Sequence, residues 1–266
     1  MSLPALSLAT RRAARRLWAR WPAGASRRCC LCGSAVRAFL PYRDGLASLP
    51  AVAVEADIVG SDVQNFECPA CGCHDRERHL VLYLHAAGLL AAMKGARVLH
   101  FAPEPHLQRV IAAAAPAQYV RADLHPRQPG VNRLDLTAIA MPAASFDFVI
   151  ANHVLEHVGD DALALSEILR VLCPGGHAVL QTPFAAARAG TFEDPRITGD
   201  AERLQAYGQE DHCRLFGADF DRRVVAAGFV SRVAQHAQLL PHVDARACGV
   251  NPREPLLLFA KPESPS

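Results

Sequence analysis

The feature that most limits this chain is an alternation between residues 98 and 183. Short apolar runs end in polar residues, and helix-like segments separate them. The runs are Val98-Leu99-His100-Phe101, Tyr119-Val120-Arg121-Ala122-Asp123, Phe146-Asp147-Phe148-Val149-Ile150-Ala151 and Gly176-His177-Ala178-Val179-Leu180-Gln181. Such alternation predicts βαβ units and a parallel sheet buried on both faces, an α/β fold. Ligands of such sheets bind beyond the carboxyl ends of the strands. Phe101-Ala102-Pro103-Glu104, Asp123, Asp135 and Asn152 all fall at or just past those ends. The function is therefore sought there first.

A chain of 266 residues holds one large α/β domain and a small appendage. The formal charge of +2 gives no argument for a nucleic-acid partner. No run approaches the ~18 apolar residues of a membrane span. The nine cysteines are odd in number, six precede the first expected strand of the sheet, and no secretory signal is visible. This favours a reducing, cytoplasmic setting and a metal site over a disulfide framework.

Residues 1–28 carry seven arginines and no acid. Ala14, Leu17, Trp18 and Trp21 recur at helical spacing, so residues 10–21 predict a basic amphipathic helix. Its readings are peripheral contact with a membrane surface, contact with an acidic partner, or a loosely ordered leader. A module over residues 29–75 follows. Cys29 with Cys32 and Cys68 with Cys71 have the spacing of two thiolate turns, each followed by glycine, and together supply four soft ligands for tetrahedral zinc. Cys30 and Cys73 sit at the wrong offset, though either is able to substitute. With four thiolate positions filled the zinc is structural, and such sites contribute about 10–16 kcal/mol of apparent binding energy in small peptides. Between the pairs, Phe39, Leu40, Tyr42 and Val52-Ala53-Val54 suffice for a small β-ribbon.

The charged cluster Asp75-Arg76-Glu77-Arg78-His79 opens a helix; it reads as a binding motif, a solvated helix start or a clamp between two modules. Strands are expected over 97–102, 118–123, 132–136, 146–151 and 176–181, with two more over 229–234 and 256–261. Asp123 has the spacing of an acid that bonds ribose hydroxyls in nucleotide-binding α/β folds. Asp160 or Asp161 caps the helix that presents Leu165, Ile168, Leu169 and Leu172.

These residues, in this order, resemble a class I S-adenosylmethionine-dependent methyltransferase of the type 11 domain family. The most specific stretch runs from Ser145-Phe146-Asp147-Phe148-Val149-Ile150 through His153-Val154-Leu155-Glu156-His157-Val158 to Pro174-Gly175-Gly176. Tyr207-Gly208-Gln209-Glu210-Asp211-His212 and the front cysteine pairs resemble bacterial members with a zinc-ribbon-like head. The resemblance covers residues 68–261. It implies a Rossmann-like seven-stranded sheet with the last strand antiparallel, in a methyltransferase domain over 76–261. By position, it implies that Phe101, Ala102, Pro103 and Glu104 face the methionine part of S-adenosylmethionine and that Asp123 holds the ribose. Asp135 and Leu136 flank the adenine, and Asn152 lines the floor beside the sulfonium. The family's glycine-rich turn is here Ala102-Pro103-Glu104. Either Glu104 pairs with the cofactor's ammonium, or it narrows the pocket and no cofactor binds.

Methyl transfer is a displacement at an activated carbon, so the protein chiefly aligns its reactants. Candidates for a base are His153, Glu210, Asp211 and His212. Glu210-Asp211-His212 reads equally as a latch on a lid over residues 184–212, and Glu156 and His157 as supports of the turn after the fourth strand. The expected acceptor is a small molecule or a saccharide. Two alternatives stay open: RNA methylation with the zinc module gripping the substrate, and a non-catalytic scaffold with a degenerate pocket.

Overall fold

The computed structural model describes residues 8–21 and 23–263; parts of the basic front segment, residues 1–7 and Pro22, lie outside the described residues. Seven strands form the main sheet: β1 Arg97–Phe101, β2 Gln118–Asp123, β3 Asn132–Arg133, β4 Phe146–Ala151, β5 Leu172–Val179, β6 Val230–Ser231 and β7 Leu258–Ala260. Their order is β6-β7-β5-β4-β1-β2-β3. The strands from β5 through β4 and β1 to β3 pair in parallel, while β7 is antiparallel to both β5 and β6. This is the Rossmann-like methyltransferase sheet, with its last strand antiparallel.

Alternate strand residues enter different cores. Leu99, Phe101, Val149 and Ala151 pack on one face, with Leu165 and Ile168 of a helix and Val224 of another. Val98, Phe148 and Ile150 pack on the other, with Leu80, Tyr83, Leu107 and Ile111. The longer helices are α1 Leu8–Arg20, α2 Asp75–Ala86, α3 Pro105–Ala113, α4 Asp161–Val171, α5 Asp200–Tyr207 and α6 Phe220–Ala226. Asp160 caps α4, accepting from the Leu163 amide at 2.9 Å. Asp161 instead takes both arms of Arg223.

Three local expectations change. Residues 51–55 are helical, not part of a ribbon; Pro50 sets their entry, and Val54 is exposed, so no sheet partner claims them. The ribbon forms nearer the cysteines, where Arg27–Arg28 pairs antiparallel with Ala35–Val36. β5 begins before Pro174-Gly175-Gly176 rather than after it. Phe146 faces Leu172 and Phe148 faces His177, so the intervening residues bulge out. Gly176 cannot carry a side chain there, since a Cβ would lie 2.9 Å from the Cys173 carbonyl oxygen.

The charged start of α2 is a clamp. Asp75, Glu77, Arg78 and His79 are all buried. Arg78 donates to the carbonyls of Cys73 at 3.1 Å, Cys248 at 3.0 Å and Gly249 at 2.7 Å, and its guanidinium sits 3.9 Å from the Phe39 ring. One side chain thus ties the cysteine module to the C-terminal loop. A second tie is a small sheet in which Ile58–Val59 pairs with Phe184–Ala185, and the latter with Phe216–Gly217.

Candidate active site

The rim of β1, β2 and β3 is built by short-range turns. Ala102 follows β1 with φ +46°, a left-handed conformation that favours glycine and costs an alanine roughly 1–2 kcal/mol. Glu104 is buried one turn on, at the start of α3, where Pro105 needs no N–H partner. Its Oε1 accepts from Asn152 Nδ2 at 2.6 Å, and its Oε2 lies 3.5 Å from His100 Nε2. Tyr119 and His100 share a hydrogen bond of 2.8 Å behind it. Burial alone would push the Glu104 carboxyl up, but His100 and Arg76 hold it below the ordinary value, so it is an anion. Asp123 is half-buried, and its Oδ1 accepts from the His125 amide at 2.7 Å. Asp135 is exposed and accepts from the Thr137 amide at 2.8 Å, while Leu136 is buried beside it. Phe101 is buried beneath the rim. The structure thus brings Glu104 and Asn152 into contact, and leaves Asp123 and Asp135 with carboxylates at the surface of the same edge.

The rim of β4 and β5 has another character. His153, also left-handed at φ +54°, lies between two buried carboxylates. Its Nδ1 is 3.3 Å from Glu156 and its Nε2 is 3.6 Å from Glu254. Burial works to lower this imidazole, yet the two acids raise it to about 9, so it is cationic at neutral pH. Burial would raise the Glu156 carboxyl, and His153 brings it down to about 2. Glu254 also faces His79 Nδ1 at 3.1 Å, and the other His79 nitrogen meets His236 at 2.9 Å.

A cavity of about 1270 Å³ opens on the outer side of this network. It does not lie beside Asp123. The cysteine module, the turn after β4 and the segment before β6 enclose it, with Tyr42, Phe66, Arg76, His153, His212 and Tyr207 among its lining residues. Its inner end reaches Arg76, 3.8 Å from Glu104, and His153, the neighbour of Asn152. Arg76 and His153 thus stand between the cavity and the Glu104–Asn152 pair of the rim, which does not itself line the cavity.

The four candidates for a base separate. His153 is locked between two acids and already protonated. Glu210 reaches Arg43 of the front module at 3.1 Å, and Asp211 points outward, with its Oδ2 3.3 Å from His157. His212 is buried in the cavity wall, its ring edge-on to His157 at 4.8 Å between centroids. Burial keeps His212 below the ordinary imidazole value, hence neutral. Sequence reading missed Arg76 and Glu254 as site residues. Glu254 carried no signal, being one acid in a loop-rich tail; Arg76 was visible only as part of a charged cluster.

The front cysteines converge. The four sulfurs of Cys29, Cys32, Cys68 and Cys71 lie within 4.8 Å of one another, with Cys32 to Cys68 at 3.9 Å and Cys29 to Cys71 at 4.0 Å. Tetrahedral zinc with bonds of ~2.3 Å places its sulfurs about 3.8 Å apart, so this set is able to hold such an ion. Each pair is folded by a turn in which a left-handed glycine returns its amide to the first cysteine: Gly33 to Cys29 at 2.8 Å and Gly72 to Cys68 at 2.9 Å. Cys73 lies 3.4 Å from Cys29 as a fifth thiol.

The sheet order and its ligand rim define a class I methyltransferase fold. Residues 89–180 match a family model described as a methyltransferase domain. Over that stretch the chain carries a methyltransferase domain, that of a transferase. No curated protein matches the chain. Among solved structures, it is similar to an S-adenosylmethionine-dependent methyltransferase of Mesorhizobium loti, at 20% identity over 65% of this chain and 96% of that one, with a TM-score of 0.44. It is also similar to the 1,6-didemethyltoxoflavin N1-methyltransferase of Burkholderia thailandensis, at 15% identity over 69% of this chain and 79% of that one, with a TM-score of 0.44.

The rim fits the cofactor that goes with such a domain. Glu104 Oε2 and Asn152 Oδ1 are buried acceptors with no hydrogen-bond donor. Two unmatched acceptors, one of them anionic, suit a ligand whose amino end and sulfonium are both positive.

Proposed function

We propose that the chain transfers a methyl group from S-adenosylmethionine to a small-molecule or saccharide acceptor bound in the cavity between the cysteine module and the sheet. The supporting observation is that Arg76 and His153 line that cavity while Arg76 lies 3.8 Å from Glu104 of the rim and His153 follows Asn152 in the chain. Glu104 and Asn152 receive the cofactor's amino acid end, Asp123 its ribose, and Asp135 and Leu136 its adenine. Bound there, the cofactor supplies an activated methyl. Tyr42, Phe66 and Tyr207 are among the residues that line the cavity, and aromatic side chains of this kind are what sugar rings pack on. Glu210 latches the cavity wall to Arg43, Asp211 backs His157, and His212 is the group placed to meet the acceptor oxygen. The front module binds structural zinc through Cys29, Cys32, Cys68 and Cys71 and thereby sets one cavity wall. Incubation of a cell extract with methyl-labelled cofactor tests this reading. Label is expected in the low-mass fraction and not in the RNA or protein fractions; label confined to RNA would contradict it.

A lipid surface is proposed as the partner of α1. Leu17, Trp18 and Trp21 are exposed, while the opposite side of the helix is the docked one, with Ala19 buried and Arg16 donating to the Pro69 carbonyl and pairing with Glu67. A surface helix ordinarily turns its apolar side inward. An outward apolar face flanked by Arg12, Arg15 and Arg20 suits an anionic bilayer. Sedimentation with phosphatidylglycerol vesicles is expected to carry the protein down, and Trp18→Ala with Trp21→Ala to prevent it. No helix among the described residues is long and apolar enough to cross a membrane.

A further inference from the structure

We infer that Glu156, His157 and His212 form a second metal site, distinct from the cysteine cluster, that takes a divalent transition-metal ion on the wall of the large cavity. The inference rests on the reading of that cavity as the acceptor's place and supplies the chemistry of that wall. Each of the three side chains offers one donor atom, and these atoms lie within 4.8 Å of one another. All three residues line the cavity. Glu156 is 1% exposed and His212 7% exposed, so the donors are screened from bulk water.

Each ligand is aimed by a group behind it. His157 Nδ1 lies 3.2 Å from the Asp211 carbonyl oxygen, which only accepts. That nitrogen therefore carries the proton, and Nε2 keeps its lone pair. His212 is held edge-on against the His157 ring, 4.8 Å between centroids. The Thr182 hydroxyl donates to Glu156 Oε2 at 3.0 Å, which orients the carboxylate. Outer bonds of this kind fix the tautomer and direction of metal-binding histidines.

An independent observation points to a missing ligand. Glu156 Oε1 is buried and accepts no hydrogen bond. Its nearest charged neighbour, His153 Nδ1 at 3.3 Å, does not make one, and His153 is shared with Glu254 on its other side. Asp211 adds a further carboxylate, 3.3 Å from His157. A cation at the three donors would satisfy the unmatched oxygen. Two imidazoles and one carboxylate select a transition metal over magnesium or calcium. Three protein ligands leave a position open to the cavity, as in catalytic rather than structural sites. That open position suits an oxygen of the acceptor, whose acidity a bound cation raises, so that His212 meets that oxygen through the ion it helps to hold rather than directly.

The test is titration of zinc-loaded full-length protein with Co2+, followed by visible absorption and calorimetry. One equivalent beyond the cysteine-bound ion is expected at micromolar Co2+, with the weak absorption of nitrogen and oxygen ligands and without thiolate charge-transfer bands. His212→Ala and His157→Ala should each weaken this equivalent by roughly 100-fold or more, while Cys32→Ser leaves it in place. His212→Cys, which keeps a ligand, should bind with a new thiolate band; circular dichroism verifies that each variant is folded. Absence of a second equivalent up to millimolar Co2+, or binding unchanged in both alanine variants, would overturn the inference. The readout is ion binding, so it does not depend on the acceptor. Ion binding with no methyl transfer to low-mass acceptors would count against the cavity reading alone.

Discussion

The two halves of the sheet rim are built in opposite ways. On the β1–β3 side, the two aspartates are set by their own turns: Asp123 binds the amide two residues on, and Asp135 does the same. On the β4–β5 side, the groups come from far apart. Glu254 from the tail, His79 from α2, and His153 and Glu156 from the turn after β4 meet in one buried chain of ion pairs. Gln181 at the end of β5 joins it through Glu254 at 3.3 Å. The β1–β3 aspartates are thus preorganised by local backbone. The β4–β5 side depends on the cysteine module and the C-terminal loop being docked.

This difference predicts where substitutions spread. The largest effect is expected from Arg78→Met, which leaves the carbonyls of Cys73, Cys248 and Gly249 without a donor. A loss of roughly 3–5 kcal/mol in urea unfolding is expected, and wild-type stability would break the comparison. Glu254→Ala strips His79 and His153 of their shared acid. It should cost about 3 kcal/mol while leaving S-adenosylhomocysteine affinity unchanged, because Glu254 touches no group of the β1–β2 rim.

The pH dependence follows from His153. Its folded value of about 9 exceeds the ordinary 6.5, so its stabilising contribution is complete below about pH 6.5 and fades as pH rises through 9. The melting temperature should fall across that window, and His153→Gln should flatten the fall. A smaller effect belongs to the cofactor side. Ala102→Gly relieves the left-handed alanine at the cost of unfolded-chain entropy, for a net gain of up to ~1 kcal/mol. Arg43→Ala should change stability least, at most ~0.5 kcal/mol, because its pair with Glu210 is largely exposed.

The same contrast governs what could be read from the residues alone. The strand runs and the acids that end them lie close in sequence, so the sheet, its rim and the cysteine pairs were legible. β5 was misplaced by a few residues because Pro174-Gly175-Gly176 reads as a stop, whereas the strand absorbs it as a bulge between its pairings with Phe146 and Phe148. The left-handed conformation of Ala102 was not legible, because the sign of φ is invisible in a sequence. His153 and His212 of the cavity wall were legible as candidates, but the roles of Arg76 and of the buried Glu254 behind the wall were not, since these come only from contacts distant in sequence, up to 175 residues between His79 and Glu254.

The central claim is that Glu104 is a receptor for a positive cofactor rather than a plug. Calorimetric titration of S-adenosylhomocysteine into wild type, Glu104→Gln and Glu254→Ala tests it most directly. The account predicts binding to wild type and Glu254→Ala alike, with Glu104→Gln weakened about 10–100-fold by loss of a charge-assisted contact. Absence of heat for wild type at millimolar ligand, or tighter binding by Glu104→Gln, would contradict it.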